Sequence, residues 1–189
     1  MAIANARPNV DDLSFLVDEY QPTRLPVLGS QQVEFGTVGW LDLARDYLTP
    51  RVADRRDSLR GLRLAVDEVY THAPPHLEFT DGVAATHIGI DDGELAGGAG
   101  TIDKPDMRIT GNYDQVATLH TAVYEQMPDR RERLTRELTH RHGETVKVVG
   151  TSPSDPALLA VLEGLHDHLA RHTKFNPDLD HRIDNLGLT

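Results

Sequence analysis

The spacing of apolar residues changes once in the first half of this chain, and that change limits the folds open to it. From Thr37 onward Trp40, Leu41, Ala44, Tyr47 and Leu48 recur at steps of three and four, the period of a helix with one buried face. Beyond Gly61 the step becomes two: Leu62, Leu64, Val66 and Tyr70 mostly alternate with polar residues, as in a strand buried on one side. Thr37 is placed to cap the first helix. Thr49-Pro50 reads as a restart, a cap followed by proline at the first position of a second short helix ending before Gly61.

The alternating pattern continues after Pro74-Pro75. Residues 83–90 form a second strand, and Asp92-Gly93 is a hairpin-turn signal leading into Glu94–Ala99. Lys104-Pro105 turns the chain into a short strand at Met107-Arg108-Ile109. Asn112, with Gln115 three residues on, opens a helix in a capping-box pattern. A charged helix from about Pro128 to His142, a last strand over Thr145–Val149 and a closing helix from Pro156 follow, the closing helix carrying Leu158, Leu162, Leu165 and Leu169 on one stripe. Helices, then strands, then helix, strand and helix indicate an α+β fold: a mostly antiparallel, curved sheet covered on one face by helices. The predicted domain spans residues 36–173. Residues 1–35 form an N-terminal extension, with a short amphipathic helix at Val10–Tyr20 and breaks at Pro22, Pro26 and Gly29; residues 174–189 form a C-terminal tail.

Composition narrows the partners. Nineteen Lys and Arg against thirty Asp and Glu give a formal charge of −11, which repels phosphate backbones, so nucleic acid is not an expected partner. The one basic concentration, Arg130, Arg131, Arg133, Arg136 and Arg141, is interleaved with Asp129, Glu132 and Glu137 and reads as a solvated helix face. The absence of cysteine excludes disulfides, thiolate metal sites and a Cys nucleophile. With neither a signal-peptide pattern at the start nor an apolar run of transmembrane length, the expectation is a soluble, cytoplasmic protein.

The segment Asp106–Leu119 (DMRITGNYDQVATL) and the segment Glu144–Thr151 (ETVKVVGT) leading into Pro156–Leu169 resemble the sterol-carrier-protein-2-like lipid-binding family: a short strand then a helix over the sheet, and a final strand with a glycine turn before the closing helix. The hairpin over 83–99 would supply the middle of the sheet, and the likeness covers roughly residues 37–172. The resemblance implies an apolar tunnel between sheet and helices and non-covalent binding of a lipid, sterol or acyl-like molecule. The N-terminal extension and residues 128–142 depart from the family pattern and would narrow or lid the cavity, or form a subunit interface.

On that footing the ligand-binding wall would be Val116, Leu119, His120 and Val123 on one helix and Leu158, Leu162, Leu165 and Leu169 on the other; the same stripes would equally fill a solid core. His120 lies between Val116 and Val123 on the inward face, as a partnered core histidine, a polar anchor for a ligand or a general base. Among the other histidines, His166 and His168 project about 160° apart and cannot share an ion, whereas His168 and His172 have ligand spacing without an acidic residue to complete a set. His72, His76 and His87 could gather at one rim of the sheet with Asp67 or Glu68, which point to opposite faces. Gly97-Gly98-Ala99-Gly100 precedes no helix and is no phosphate loop; close backbone approach or strand bending accounts for it.

No catalytic set, metal set or cofactor is assigned. The leading expectation is a carrier of a hydrophobic small molecule. The alternatives are a small enzyme, cofactor-independent or metal-assisted, acting on a hydrophobic metabolite through His120 or the His72, His76 and His87 group, and an interaction module that forms a homodimer or recruits a partner enzyme through residues 1–35 and 128–142.

Overall fold

The computed structural model describes residues 32–77, 84–125 and 146–174, with positions 132, 135 and 136 besides. The helix expected over residues 10–20, nearly all of the charged segment 128–142 and the tail after 174 lie outside the described residues. Within them are four α-helices and five strands: α1 (Val38–Asp54), β1 (Arg63–Thr71), β2 (Ala84–Asp91), β3 (Glu94–Ala99), β4 (Met107–Asn112), α2 (Tyr113–Thr121), β5 (Val146–Gly150), α3 (Pro156–Leu162) and α4 (Leu165–His172).

The strands form one sheet in the order β3-β2-β1-β4-β5. Every neighbouring pair is antiparallel except β1 and β4. This is the expected α+β architecture with one change of position. The β2–β3 hairpin sits at an edge and β1 holds the middle, because β4 pairs in parallel on the free side of β1. The return from β3 to β4 crosses the back of the sheet. There Ile102 N–H donates to Asp67 at 3.1 Å, Arg108 Nη2 donates to Asp67 at 2.6 Å, and Ala65 N–H donates to Asp106 at 2.7 Å. Asp67 is fully buried by this crossing, a charge satisfied by a cation and a backbone donor together.

The helices lie against the other face. Thr37 caps α1 as expected, its hydroxyl oxygen accepting from Trp40 N–H at 3.3 Å. The restart at Thr49-Pro50 does not occur; α1 runs unbroken to Asp54 with Pro50 inside it. An interior proline costs a helix roughly 3 kcal/mol. Full burial of Leu48 and near-full burial of Val52, on the same face as Ala44, returns about 1.5–3 kcal/mol per side chain. Packing therefore outweighs the local break. The closing segment deviates in the opposite sense. It breaks at Gly164, which has φ +73° and a Cβ position blocked by the Tyr47 hydroxyl at 2.8 Å, so α3 and α4 replace the single expected helix. Tyr47 and Arg51 of α1 donate to the Glu163 carbonyl and close the end of α3.

Two apolar clusters fill the space between the layers. One gathers Phe35, Trp40, Tyr70, Tyr113, Val116 and Leu169; the other gathers Leu48, Val52, Leu64, Ile90, Leu158 and Val161. Ile88 and Leu165 pack against both. Phe35, assigned from sequence to the extension, is 2% exposed in the first cluster, and Val33 bridges to Thr173 beyond α4.

Candidate functional site

The alternation along β1 has one polar interruption. Leu64, Val66, Glu68 and Tyr70 share the helix-facing side of the sheet, so Glu68 is carried into the interior between the layers. Its side chain is 15% exposed. Tyr70 Oη donates to Glu68 Oε2 at 2.9 Å, and Thr86, directly across from Glu68 on β2, lies 2.9 Å from the same phenol oxygen. With the phenol proton committed to a carboxylate that can only accept, Thr86 is the donor to Tyr70.

His120 reaches this group from α2. Asn112 caps that helix through Asp114 N–H at 3.1 Å, and the helix carries His120 to within 3.5 Å of Glu68 Oε2 through Nε2. The imidazole stacks on Phe35 at 4.8 Å between centroids and stands perpendicular to Trp40 at 5.8 Å. His166 of α4 lies 5.5 Å from the His120 ring; its Nε2 donates to the Ala122 carbonyl at 3.0 Å, and its ring stacks on Tyr124. The site is thus a chain, hydrogen-bonded from Thr86 through Tyr70 to Glu68 and extended by the charged contact of Glu68 with His120, walled by aromatic rings.

Burial pushes the Glu68 carboxyl up, but the charge and hydrogen bond of His120, the hydrogen bond from Tyr70 and the more distant charge of His166 outweigh it and hold the group below the ordinary carboxylate range. Burial, reinforced by the adjacent carboxylate, raises the Tyr70 phenol well above its ordinary value. The two shifts act at opposite ends of the pH scale. The Glu68 contribution to stability is complete above about pH 4.3, the ordinary unfolded value, and is lost as pH falls through the lower folded value. The Tyr70 contribution is complete below about pH 10 and is lost as pH rises through the higher folded value. Glu68→Gln is expected to cost about 1–3 kcal/mol near neutrality, and the difference from wild type should shrink in acid. Urea unfolding of both proteins across pH checks this; parallel stability curves would refute the ionised assignment.

The residues singled out from sequence are distributed around this chain. Val116 and Leu169 are buried in the first cluster, at 2% and 3% exposure, and Leu158 in the second at 4%. Leu162 packs half-buried against the second cluster and Leu165 against both, while Leu119, His120 and Val123 are half-buried. The break at Gly164 divides the leucine stripe between the two clusters. His72, His76 and His87 have separate partners: Asn112, Glu34 and the Gly100 carbonyl. His87 lies on the back of the sheet opposite Asp67. Among the described residues no group of three His, Asp or Glu could hold a metal ion.

Tyr70, Thr86, Phe35 and Trp40 join the site without any sequence motif that marks them, and Glu68 lies in the interior instead of at a histidine rim. The available signal was the charged residue in an otherwise apolar alternation.

Around Glu68 the same face keeps apolar surface open to solvent. Val66 and Ile88 are half-buried, as are Met107 and Ile109, which pair with Val66 and Glu68; Val148, paired with Ile109, is 55% exposed. A carboxylate–imidazole pair beside accessible hydrocarbon can bind a molecule that is mostly apolar and polar at one end.

No protein-family model matches the chain, and no curated protein matches it. Among solved structures it is similar to a conserved hypothetical protein of Thermus thermophilus suggested to be a sterol carrier protein, with 16% identity and a TM-score of 0.40 over 79% of this chain and 96% of the other. It is also similar to a double mutant of the sec-alkyl sulfatase PisA1, with 14% identity and a TM-score of 0.29 over 65% of this chain and 15% of the enzyme. Both TM-scores fall below one half. Among the described residues no helix is long and apolar enough to cross a membrane.

Proposed function

We propose that this chain binds a hydrophobic small molecule, lipid-, sterol- or acyl-like, against the helix-facing side of the sheet, with Glu68 and His120 as the polar anchor. One observation carries this function: partly exposed Val66, Ile88 and Ile109 share a face with an equally half-buried carboxylate–imidazole pair. Each ligand methylene withdrawn from water there contributes about 0.8 kcal/mol. The element order that resembles the sterol-carrier-protein-2-like family supports the same assignment.

Ile109→Lys places a charge on the accessible apolar surface without emptying either core cluster. It is expected to weaken binding of a fluorescent fatty-acid or sterol probe by about tenfold or more, because seating the probe would strip water from an ammonium placed on the surface it must cover. A probe that fails to bind wild type, or binds both proteins equally, removes the proposal.

A second function is favoured by the arrangement at His120. Its Nε2 faces a carboxylate while its Nδ1 has no partner among the described residues, the disposition of an oriented general base. Turnover of a hydrophobic substrate abolished by His120→Ala, with probe binding retained, would select an enzyme over a carrier.

A further inference from the structure

His168 and His172 stand one turn apart on α4, and their rings meet with centroids 4.6 Å apart and planes inclined by 40°. His172 Nδ1 lies 2.8 Å from the His168 carbonyl oxygen. A carbonyl can only accept, so Nδ1 carries the proton and the lone pair of neutral His172 sits on Nε2. A backbone bond of this kind fixes the tautomer and orientation of a metal-ligating histidine. Neither ring nitrogen of His168 is hydrogen-bonded among the described residues; its ring lies against Tyr47 of α1, 4.5 Å between centroids. Both imidazoles are half-buried and reachable from solvent. Two imidazoles bound to one zinc ion through nitrogens at about 2.0–2.1 Å hold their ring centres roughly 4.5–5.5 Å apart, the separation present on α4.

We propose that His168 and His172 bind one divalent cation of the zinc class, with water in its remaining positions. Two nitrogens and no third His, Asp or Glu in reach among the described residues suit zinc, copper or nickel over magnesium or calcium. Burial, with the charges of His172 and Arg171, lowers the His168 pKa, which favours the neutral imidazole that a metal requires. Arg171 is itself ion-paired with Glu125. The ion would pin the last turn of α4, which anchors the residues before α1: Val33 N–H donates to the His172 carbonyl at 3.0 Å, and Lys174 N–H donates to the Val33 carbonyl at 2.6 Å. Phe35, two residues beyond Val33, stacks on His120. Metal binding thereby steadies the segment that covers the His120 ring, and it does not depend on a hydrophobic molecule being bound.

Zinc chloride titrated into the full chain at neutral pH, followed by calorimetry, imidazole ¹⁵N spectra and amide exchange, tests the site. His172 Nε2 and one nitrogen of His168 are expected to shift together while His172 Nδ1 keeps its proton, and exchange at Val33 and Lys174 should slow. His168→Gln or His172→Gln should weaken zinc affinity by about tenfold or more, and His72→Asn by less than about twofold. Zinc that shifts other histidines and leaves these two unmoved, affinity unchanged by either glutamine substitution, or equal shifts with magnesium chloride would overturn the site. Shifts at both imidazoles without slower exchange at Val33 and Lys174 would uphold the metal site and overturn its hold on the covering segment.

Discussion

Phe35→Ala is expected to remove about 3–5 kcal/mol of folding stability. The ring is 2% exposed and lies 5.0 Å from Trp40, 5.1 Å from Tyr70, 5.6 Å from Tyr113 and 4.8 Å from His120 between centroids. It therefore packs against the helix, strand and imidazole that make up the anchor, and truncation leaves a void that those rigid rings cannot close. Phe35→Leu retains most of the volume and should recover much of the loss, but it removes the surface on which His120 stacks. Urea unfolding of the three proteins measures both effects. A loss below about 1 kcal/mol for the alanine variant would mean that the site does not depend on this ring.

Gly150→Ala is expected to cost about 3 kcal/mol or more. Gly150 ends β5 with φ +106°, and a Cβ built there overlaps the carbonyl oxygen of Asp106. Backbone occupies the space on that side, so no side-chain rotation relieves the clash. Thr151 N–H donates to the same Asp106 oxygen at 3.0 Å, and Met107 pairs with Gly150, so the strain falls where β5 is joined to β4. The pairing of Ile109 with Val148 lies on the same ladder. Amide exchange accelerated relative to wild type over Val146–Gly150 more than over β1 and β2 would show that the substitution loosens this edge first. Uniform, wild-type protection across the sheet would show that the turn tolerates a side chain.

The elements were legible in the sequence wherever a signal was local. Alternation located β1 and β2, Asp92-Gly93 located the hairpin, and Thr37 and Asn112 marked two helix starts through the oxygens that now cap them. Local signals failed where packing opposed them. Pro50 stays inside α1 because Leu48 and Val52 are worth more buried than the proline costs, and the leucine stripe breaks at Gly164, which takes a left-handed conformation while Tyr47 and Arg51 hold the preceding Glu163 carbonyl. The hairpin lies at the edge instead of the expected middle of the sheet, because β4 pairs in parallel with β1 and nothing local in the hairpin's residues signals that pairing.

The candidate site was less legible for the same reason. His120 was recognisable as an inward histidine from its spacing on α2, and Glu68 was visible as a charge interrupting an apolar strand. That the two meet at 3.5 Å, with Tyr70 donating to the carboxylate and Phe35 stacked on the imidazole, depends on how α2 and the residues before α1 dock on β1. Periodicity and caps are properties of a few neighbouring residues, and the order of amino acids alone determined them. Partners distant in the chain are chosen by the burial of whole helix and sheet faces, so the anchor was decided only when those faces closed together.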